Sequence, residues 1–340
     1  MLAKGFGGAE RLFVDLCRAL PAHGHEVVAV CHPRGAAAGL LRDVPALRLE
    51  LVPVAGNWDL LAVRRLRALF RAVRPQLVHA HLARAAHLAG RAARPLGTPV
   101  IAKTHNYVDL KYYRNVDWFV STTADQKRFL IDAGVSADRI EIIRNFSAMQ
   151  PAAAAAVAGN NLVAVGRLVP KKGMDVLLRA MAQLVGEGLD LRLGIAGDGP
   201  EREPLVALAG ALGLADRVRF AGWQWDIAAF LSGAGLFVLP SLDEPFGIAL
   251  IEAMGRGVPV VATATQGPRE LLGEREGWLV PAGDAQALAQ AIRSALADAP
   301  ERQLRAERAL QRFRSEFAGE VVVPKLIDLY QRAAARGSVD

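Results

Sequence analysis

Cysteine is scarce in this 340-residue chain, where Cys17 and Cys31 are the only two. Two thiols are too few for a disulfide framework or a thiolate metal cluster, and their scarcity fits a reducing compartment. Long apolar runs are missing as well. None reaches the roughly 18 residues of a membrane span, and Met1 to Gly8 lacks the apolar stretch of a signal peptide. Nothing predicts export, so the expected location is the cytoplasm. The sequence contains no Asp-x-Asp, no His/Cys/Asp cluster at metal-ligand spacing and no G-x-x-x-x-G-K-[ST]. Metal-independent chemistry without a bound cofactor is therefore expected, and a P-loop is excluded.

What is present describes a large globular protein. Apolar residues make up 52% and charged residues 22%, enough to bury an extensive core and to exclude a disordered or fibrous chain. The length suits two domains of ordinary size. The net charge of +7 is unevenly spread: residues 1–150 carry +9 and the remainder −2. A basic first half suits nucleic acid, an anionic membrane surface or a phosphorylated acceptor, and solvated arginine is the bland alternative. All seven histidines lie in that half, the last being His105.

Short apolar runs at Glu26–Cys31, Gln76–His79, Thr98–Ala102 and Trp118–Ser121 read as buried parallel strands, because both faces are apolar and the flanks are Gly, Pro or polar. Helical periodicity fills the intervals, as at residues 9–20 and 59–73. Residues 148–161 (AMQPAAAAAVAGNN), without charge or aromatics, read as a linker. The alternation then runs again through strands at Leu162–Val165, Leu191–Ala196, Val218–Phe220, Leu236–Leu239, Val258–Ala262 and Gly277–Val280. Helices are expected at Asp175–Val185, Glu201–Leu212 and about 285–298. The fold class expected is α/β: two doubly wound, Rossmann-like parallel-sheet domains facing across a cleft, with ligand at the carboxyl ends of the strands. Only Met1 to Lys4 precede the glycine-rich loop at Gly5, so the strand that normally feeds such a loop is missing or short.

Three stretches can carry chemistry. In SLDEPFGIALIE, residues 241–252, Pro245 stops a strand, and Phe246 and Gly247 open a helix whose free N–H groups suit phosphate. Glu244 and Glu252 lie at two depths beside it, where carboxylates can accept hydrogen bonds from vicinal diols; two ordinary glutamates are the alternative. In GRLVPKKG, residues 166–173, Arg167 and Lys172 flank a tight turn at a strand's carboxyl end and can converge on one anion, as a departing diphosphate requires. In GFGGAER, residues 5–11, Gly7 and Gly8 permit close backbone approach at a helix start. Neither this loop nor GDGP at 197–200 completes G-x-G-x-x-G, since Glu10 and Arg202 stand where the third glycine would be, which weakens a nicotinamide dinucleotide site. His79, His81 and His105 end apolar strands, with structural histidines as the alternative. Segment 60–73, with Arg64, Arg65, Arg67 and Arg71, reads either as a solvated helix face or as a peripheral contact with an anionic membrane.

In that order, GGAER, GRLVPKKG, GDGP and the Glu-x7-Glu pair of EPFGIALIE span nearly the whole chain. The combination resembles the retaining nucleotide-sugar glycosyltransferases of family 4, which have the GT-B fold. The resemblance implies glycosyl transfer from a nucleotide diphosphate sugar, the co-substrate, to a glycan or lipid-linked acceptor, with retention of configuration and without metal. It implies that Gly7 and Gly8 approach the donor phosphates and that Arg167 and Lys172 bind the diphosphate. Glu244 would hold the sugar ring, Phe246 and Gly247 would offer N–H groups, and Glu252 would hold the ribose. His105 would contact the transferred sugar and Trp223 would pack on the base, so that His105, Arg167, Lys172 and Glu244 are the catalytic set. The domains expected are residues 1–150 for the acceptor and 160–322 for the donor, with a helix over 324–340 crossing back to the first. Bacterial lipopolysaccharide or surface-polysaccharide assembly is the expected setting, with no nucleic acid partner. A non-catalytic nucleotide-sugar-binding subunit and a two-domain Rossmann oxidoreductase remain as alternatives.

Overall fold

The computed structural model describes residues 1–5, 7–152 and 160–337. The chain divides into two compact units, residues 1–146 with 319–340, and residues 147–318. The breaks thus fall at Phe146/Ser147 and Ala318/Gly319 rather than at 150–160 and 323, and residues 153–159 of the expected linker lie outside the described residues.

The first unit alternates helix and strand: α1 (Gly8–Ala22), β1 (Val27–Cys31), α2 (Ala36–Leu41), β2 (Leu47–Leu51), α3 (Leu60–Val73), β3 (Val78–His81), α4 (Ala83–Ala93), β4 (Val100–Lys103), β5 (Trp118–Ser121), α5 (Ala124–Asp132) and β6 (Ile140–Ile142). Capping follows sequence chemistry. Asp59 accepts from the Ala62 N–H at 2.9 Å to start α3, and Thr123 accepts from the Gln126 N–H at 3.2 Å to start α5, each satisfying an otherwise unpaired amide. The strands are parallel, but they do not form the single sheet expected. β1 pairs only with β2, and a separate sheet runs β3-β4-β5-β6. No described strand bridges β1 and β3. The strands that sequence periodicity passes over, β2 and β6, are sheet edges carrying Arg48, Glu50 and Glu141, so they lack the continuous apolar run of a central strand.

The second unit holds β7 (Asn161–Val165), α6 (Met174–Gly186), β8 (Arg192–Ala196), α7 (Arg202–Ala211), β9 (Val218–Gly222), α8 (Ile227–Leu231), β10 (Leu236–Leu239), α9 (Ile248–Gly255), β11 (Val260–Thr263), α10 (Gln266–Leu271), β12 (Trp278–Val280), α11 (Ala285–Ala297) and α12 (Ala299–Arg312). Its six strands form one parallel sheet in the order β12-β11-β10-β7-β8-β9. The chain starts at β7, winds outward through β8 and β9, then returns to the other side of β7 with β10. That reversal is a topological switch point, where loops leave neighbouring strands in opposite directions and open a crevice at their carboxyl ends. α6 presents Leu177, Met181 and Leu184, none of them exposed, to a core shared with Leu193, Ile195 and Leu236; truncating one such leucine costs about 2–5 kcal/mol.

The last helix, α13 (Gly319–Gly337), belongs to the first unit. There the Tyr330 hydroxyl lies 2.6 Å from His79 Nδ1, Arg332 pairs with Glu141 at 2.7 Å, and the same guanidinium lies 5.9 Å from the centre of the Trp118 ring.

Candidate functional site

In the second unit the switch point brings two of the sequence motifs together. β10 pairs with β7, Leu236 opposite Leu162 and Phe237 opposite Val163, so the loop carrying Arg167 and Lys172 and the loop carrying Glu244 leave adjacent strands at the same end. Residues 170–172 form one turn of 3-10 helix ended by Gly173 at φ +61°. Glycine is required there twice over: the conformation is left-handed, and a Cβ would lie 2.1 Å from the Pro240 carbonyl oxygen. That close approach lets the Leu242 N–H donate to Lys171 O at 2.8 Å and Lys171 reach Asp243 at 3.3 Å. Lys172 forms an ion pair with Glu244, whose carboxylate also accepts from Ser241 Oγ at 3.3 Å. Arg167 is exposed where β7 ends.

The helix expected after Phe246 is α9, entered through Gly247 at φ +110°. Phe246 is buried, and Gly267 at the start of α10 packs so closely that its Cβ would sit 2.0 Å from the Phe246 oxygen. The Gly267 N–H donates to Glu244 O at 2.8 Å, which fixes the acidic loop from a second side. Glu252 is buried in the second turn of α9, at 4% exposure. Trp223 follows β9, its ring 5.8 Å from that of Trp225. Sequence reading passed over Ser241 and Thr263, whose hydroxyl donates to the Ser241 oxygen at 2.5 Å; their short polar side chains at the ends of apolar strands were the available signal.

Gly7, Gly8 and His105 lie in the first unit. Gly7 precedes α1 and its oxygen accepts from the Arg11 N–H at 2.9 Å, while Gly8 is exposed. His105 follows β4 at φ +36°, a left-handed conformation that a non-glycine residue adopts under strain. Its ring is buried, with Nε2 3.1 Å from His81 Nδ1. His79 stacks at 4.4 Å from His81 and completes a row of three imidazoles. Burial holds His79 down at about 3 and pushes His81 and His105 well below the usual imidazole range, so the row is neutral at pH 7. Beside it, burial lowers Lys103 to about 7 although its ammonium donates to Ile143 O at 2.9 Å; sequence reading placed Lys103 just past the strand. A cavity of about 600 Å³ opens at the carboxyl ends of β3 and β4, lined among others by Lys4, Asn57, Arg84, Thr104, Tyr107 and Asp109.

Among the described residues no group of three or more His, Cys, Asp or Glu is placed to hold a metal ion, and no helix is long and apolar enough to cross a membrane.

Comparison with known proteins follows the same division. Residues 6–146 match the family described as Glycosyltransferase Family 4, and residues 150–312 match Glycosyl transferases group 1. The lipopolysaccharide core biosynthesis glycosyltransferase LpsD of Rhizobium meliloti (strain 1021) is 32% identical over 350 residues, covering 97% of this chain and 96% of that protein. LpsE of the same organism, also described as a lipopolysaccharide core biosynthesis glycosyltransferase, is 32% identical over 335 residues, 95% of each. Among solved structures, HepE of Anabaena in complex with UDP-glucose superposes with a TM-score of 0.84 at 20% identity over 98% of both chains, a likeness of fold. The expected pair of Rossmann-like parallel α/β domains is the GT-B arrangement of such neighbours. With two relatives alike along almost their entire length and both halves matched in order, the chain belongs to glycosyltransferase family 4 and is a glycosyltransferase.

Proposed function

We propose that this glycosyltransferase moves a sugar from a nucleotide diphosphate sugar to a glycan or lipid-linked acceptor, with retention of configuration and without a metal ion, in the assembly of bacterial lipopolysaccharide or a related surface polysaccharide. The observation that carries the donor side is the pairing of β7 with β10, which sets the Arg167–Lys172 turn against the Glu244 loop at the switch point of a parallel sheet. Two cations and the start of α9 suit a diphosphate, and a buried carboxylate beside them suits sugar hydroxyls. LpsD and LpsE support the polysaccharide setting, and the UDP-glucose held by HepE supports the donor class.

In this reading the bond from the anomeric carbon to the diphosphate oxygen breaks as the acceptor oxygen bonds to the same face. The departing diphosphate takes the acceptor's proton, and Arg167, Lys172 and the N–H groups at Phe246 and Gly247 stabilise its charge. Glu244 and His105 hold the transferred sugar, Glu252 the ribose and Trp223 the base, while Gly7 and Gly8 approach the phosphates. The first unit takes the acceptor in the cavity beside Arg84 and Tyr107, at the cytoplasmic face of a membrane to which its basic surface is drawn.

The test is a panel of uridine, guanosine and adenosine diphosphate sugars read by nucleotide release with and without chelator, followed by acceptor screening and NMR assignment of the product anomer. Release from one donor that survives chelation, with the donor's anomeric configuration in the product, is expected. An inverted product or a metal requirement would refute the corresponding part, and no turnover of any nucleotide sugar would sink the whole.

A further inference from the structure

The cavity of about 600 Å³ at the carboxyl ends of β3 and β4 takes a positive charge from its own walls. Lys4, Arg84 and Asp109 are the charged residues that line it. Asp109 is already matched, because Lys111 pairs with it at 2.5 Å and holds its carboxyl below the usual range. The two cations have no such match. Arg84 donates from Nε to Asn57 Oδ1 at 3.0 Å and from Nη1 to Leu2 O at 3.4 Å, both neutral oxygens, and neither Arg84 nor Lys4 forms an ion pair among the described residues. Their charges fall on one neighbour: His32, buried beyond β1, has its pKa lowered first by that burial and then by Lys4, Arg84 and Arg34. A half-buried guanidinium held only by neutral oxygens lacks the counter-charge such a group ordinarily keeps.

Helix stability does not explain the arginine. Arg84 is the second residue of α4, at the end where the helix dipole disfavours a cation. That first turn contains no acidic residue, and Leu82 before it offers the N–H groups no side-chain cap. The chain even adopts φ +70° at Leu82 to start the helix there, a conformation that a bulky residue takes up under strain.

The remaining wall suits a saccharide. Asn57 gives its oxygen to Arg84, which leaves its NH2 group for another acceptor. Tyr107 and Tyr112 add aromatic surface beside these polar groups, the mixture by which a pocket orients a small ligand. Tyr113, also in the wall, is 3% exposed, and its hydroxyl, kept protonated by burial, has no partner among the described residues. An orphaned donor of this kind calls for an oxygen from outside the protein.

We propose that the acceptor is an acidic saccharide, its carboxylate or phosphate bound by Lys4 and Arg84 at the start of α4 and its neutral ring against Asn57 and Tyr107. Arg84 supplies the fork that either anion accepts in two parallel hydrogen bonds, and Lys4 a point charge. This names the acceptor class for the reaction proposed above and rests on reading the cavity as the acceptor site.

The experiment titrates the donor-free protein with methyl galactoside, methyl galacturonide and the phosphate monoester of methyl galactoside, followed by ligand-observed NMR. One or both anionic probes are expected to bind about tenfold or more tightly than the neutral galactoside, and the two arms tell which anion the cavity takes. Lys4→Gln and Arg84→Gln should each remove most of this preference, as should about 0.5 M sodium chloride. Arg71→Gln, an exposed change on α3 outside the cavity that lowers the net charge equally, should keep it. Lys4, with no protein partner to lose, preserves the test if Arg84→Gln fails to fold. Equal affinity for the three probes, no detectable binding of either anion, or a preference that both variants retain would overturn the proposal. The donor takes no part in these titrations, so the two readings fail separately. Anion-selective binding in a protein that releases nucleotide from no donor would sink the donor reading and leave this one standing, whereas transfer to neutral acceptors with no preference for acidic ones would sink this one alone.

Discussion

Lys172 and Glu244, 72 positions apart in sequence, form an ion pair whose side chains are only 16% and 10% exposed. The pair spans the switch point, with its lysine supplied by the turn after β7 and its carboxylate by the loop after β10. Partial burial makes it more than a surface ion pair, since losing one partner leaves the other charge poorly solvated. In the proposed reaction each group has a task of its own, the ammonium on the diphosphate and the carboxylate on the sugar. The pair seen here then holds both side chains near their working positions.

Replacing either phosphate-binding cation is expected to lower turnover by a factor of roughly 10² to 10³, the scale of losing an oxyanion donor. Arg167→Ala, exposed at the end of β7, should do this with little change in Tm. Lys172→Ala should lose both turnover and stability because Glu244 loses its partner. Steady-state kinetics beside a thermal melt separate the two effects, and near-normal kcat in both variants would remove the assigned roles.

Gly173→Ala tests the backbone beneath that pair. The substitution demands a strained φ and sets a methyl 2.1 Å from Pro240 O, so the turn must move away from the Glu244 loop. We expect a loss of about 2–3 kcal/mol or more and turnover reduced nearly as far as in Lys172→Ala. Gly188→Ala, also at positive φ but with open space around its Cβ position, should cost less and leave turnover intact. Urea midpoints and kcat for the two variants make the comparison.

The sequence revealed the second unit more fully than the first, for physical reasons. Its central strands are buried on both faces and read as unbroken apolar runs, so β7, β8, β10 and β11 stand out, and the loops after β7 and β10 are marked by Pro170, Gly173 and Pro245. What remained hidden there was the pairing of Lys172 with Glu244, because strand order is not written in local periodicity. In the first unit, β2 escaped notice because Arg48 and Glu50 interrupt its apolar run, and local periodicity does not record that β1 pairs only with β2. The roles of His79 and Lys103 were illegible because burial by distant elements, including Tyr330 from the last helix, determines their protonation.

Tyr330→Phe isolates the anchoring of α13. It removes the hydroxyl 2.6 Å from His79 Nδ1 without changing ring volume, leaving a buried imidazole nitrogen unsatisfied at a cost of about 1–3 kcal/mol. Hydrogen exchange should quicken in α13 and β3 and stay unchanged in the second unit's sheet. Uniform quickening across both units would show that the contact does not anchor α13 locally.

Lys103 makes the stability of the first unit depend on pH in a direction that can be worked out. Its pKa falls from 10.5 to about 7 on folding because the ammonium is buried. Below pH 7 both folded and unfolded states hold the proton, and the folded state bears the full cost of the charge. Between about 7 and 10.5 only the unfolded state keeps it, so stability rises with pH by up to about 1.4 kcal/mol per unit. Above that range neither state is protonated and the lysine contributes no further slope. Burial of the Met1 amino group acts in the same sense below its ordinary value of 8.0, whereas Cys17, pushed from 9.0 to about 12, opposes the rise only above pH 9. Lys103→Met, of similar shape and uncharged, should therefore be the more stable protein at pH 6. The wild type should regain about 1–2 kcal/mol relative to it between pH 7 and 8.5. Urea midpoints for peptides of β4, read by hydrogen-exchange mass spectrometry at each pH, give the difference directly, and a constant gap between the two proteins would mean that Lys103 stays charged when folded.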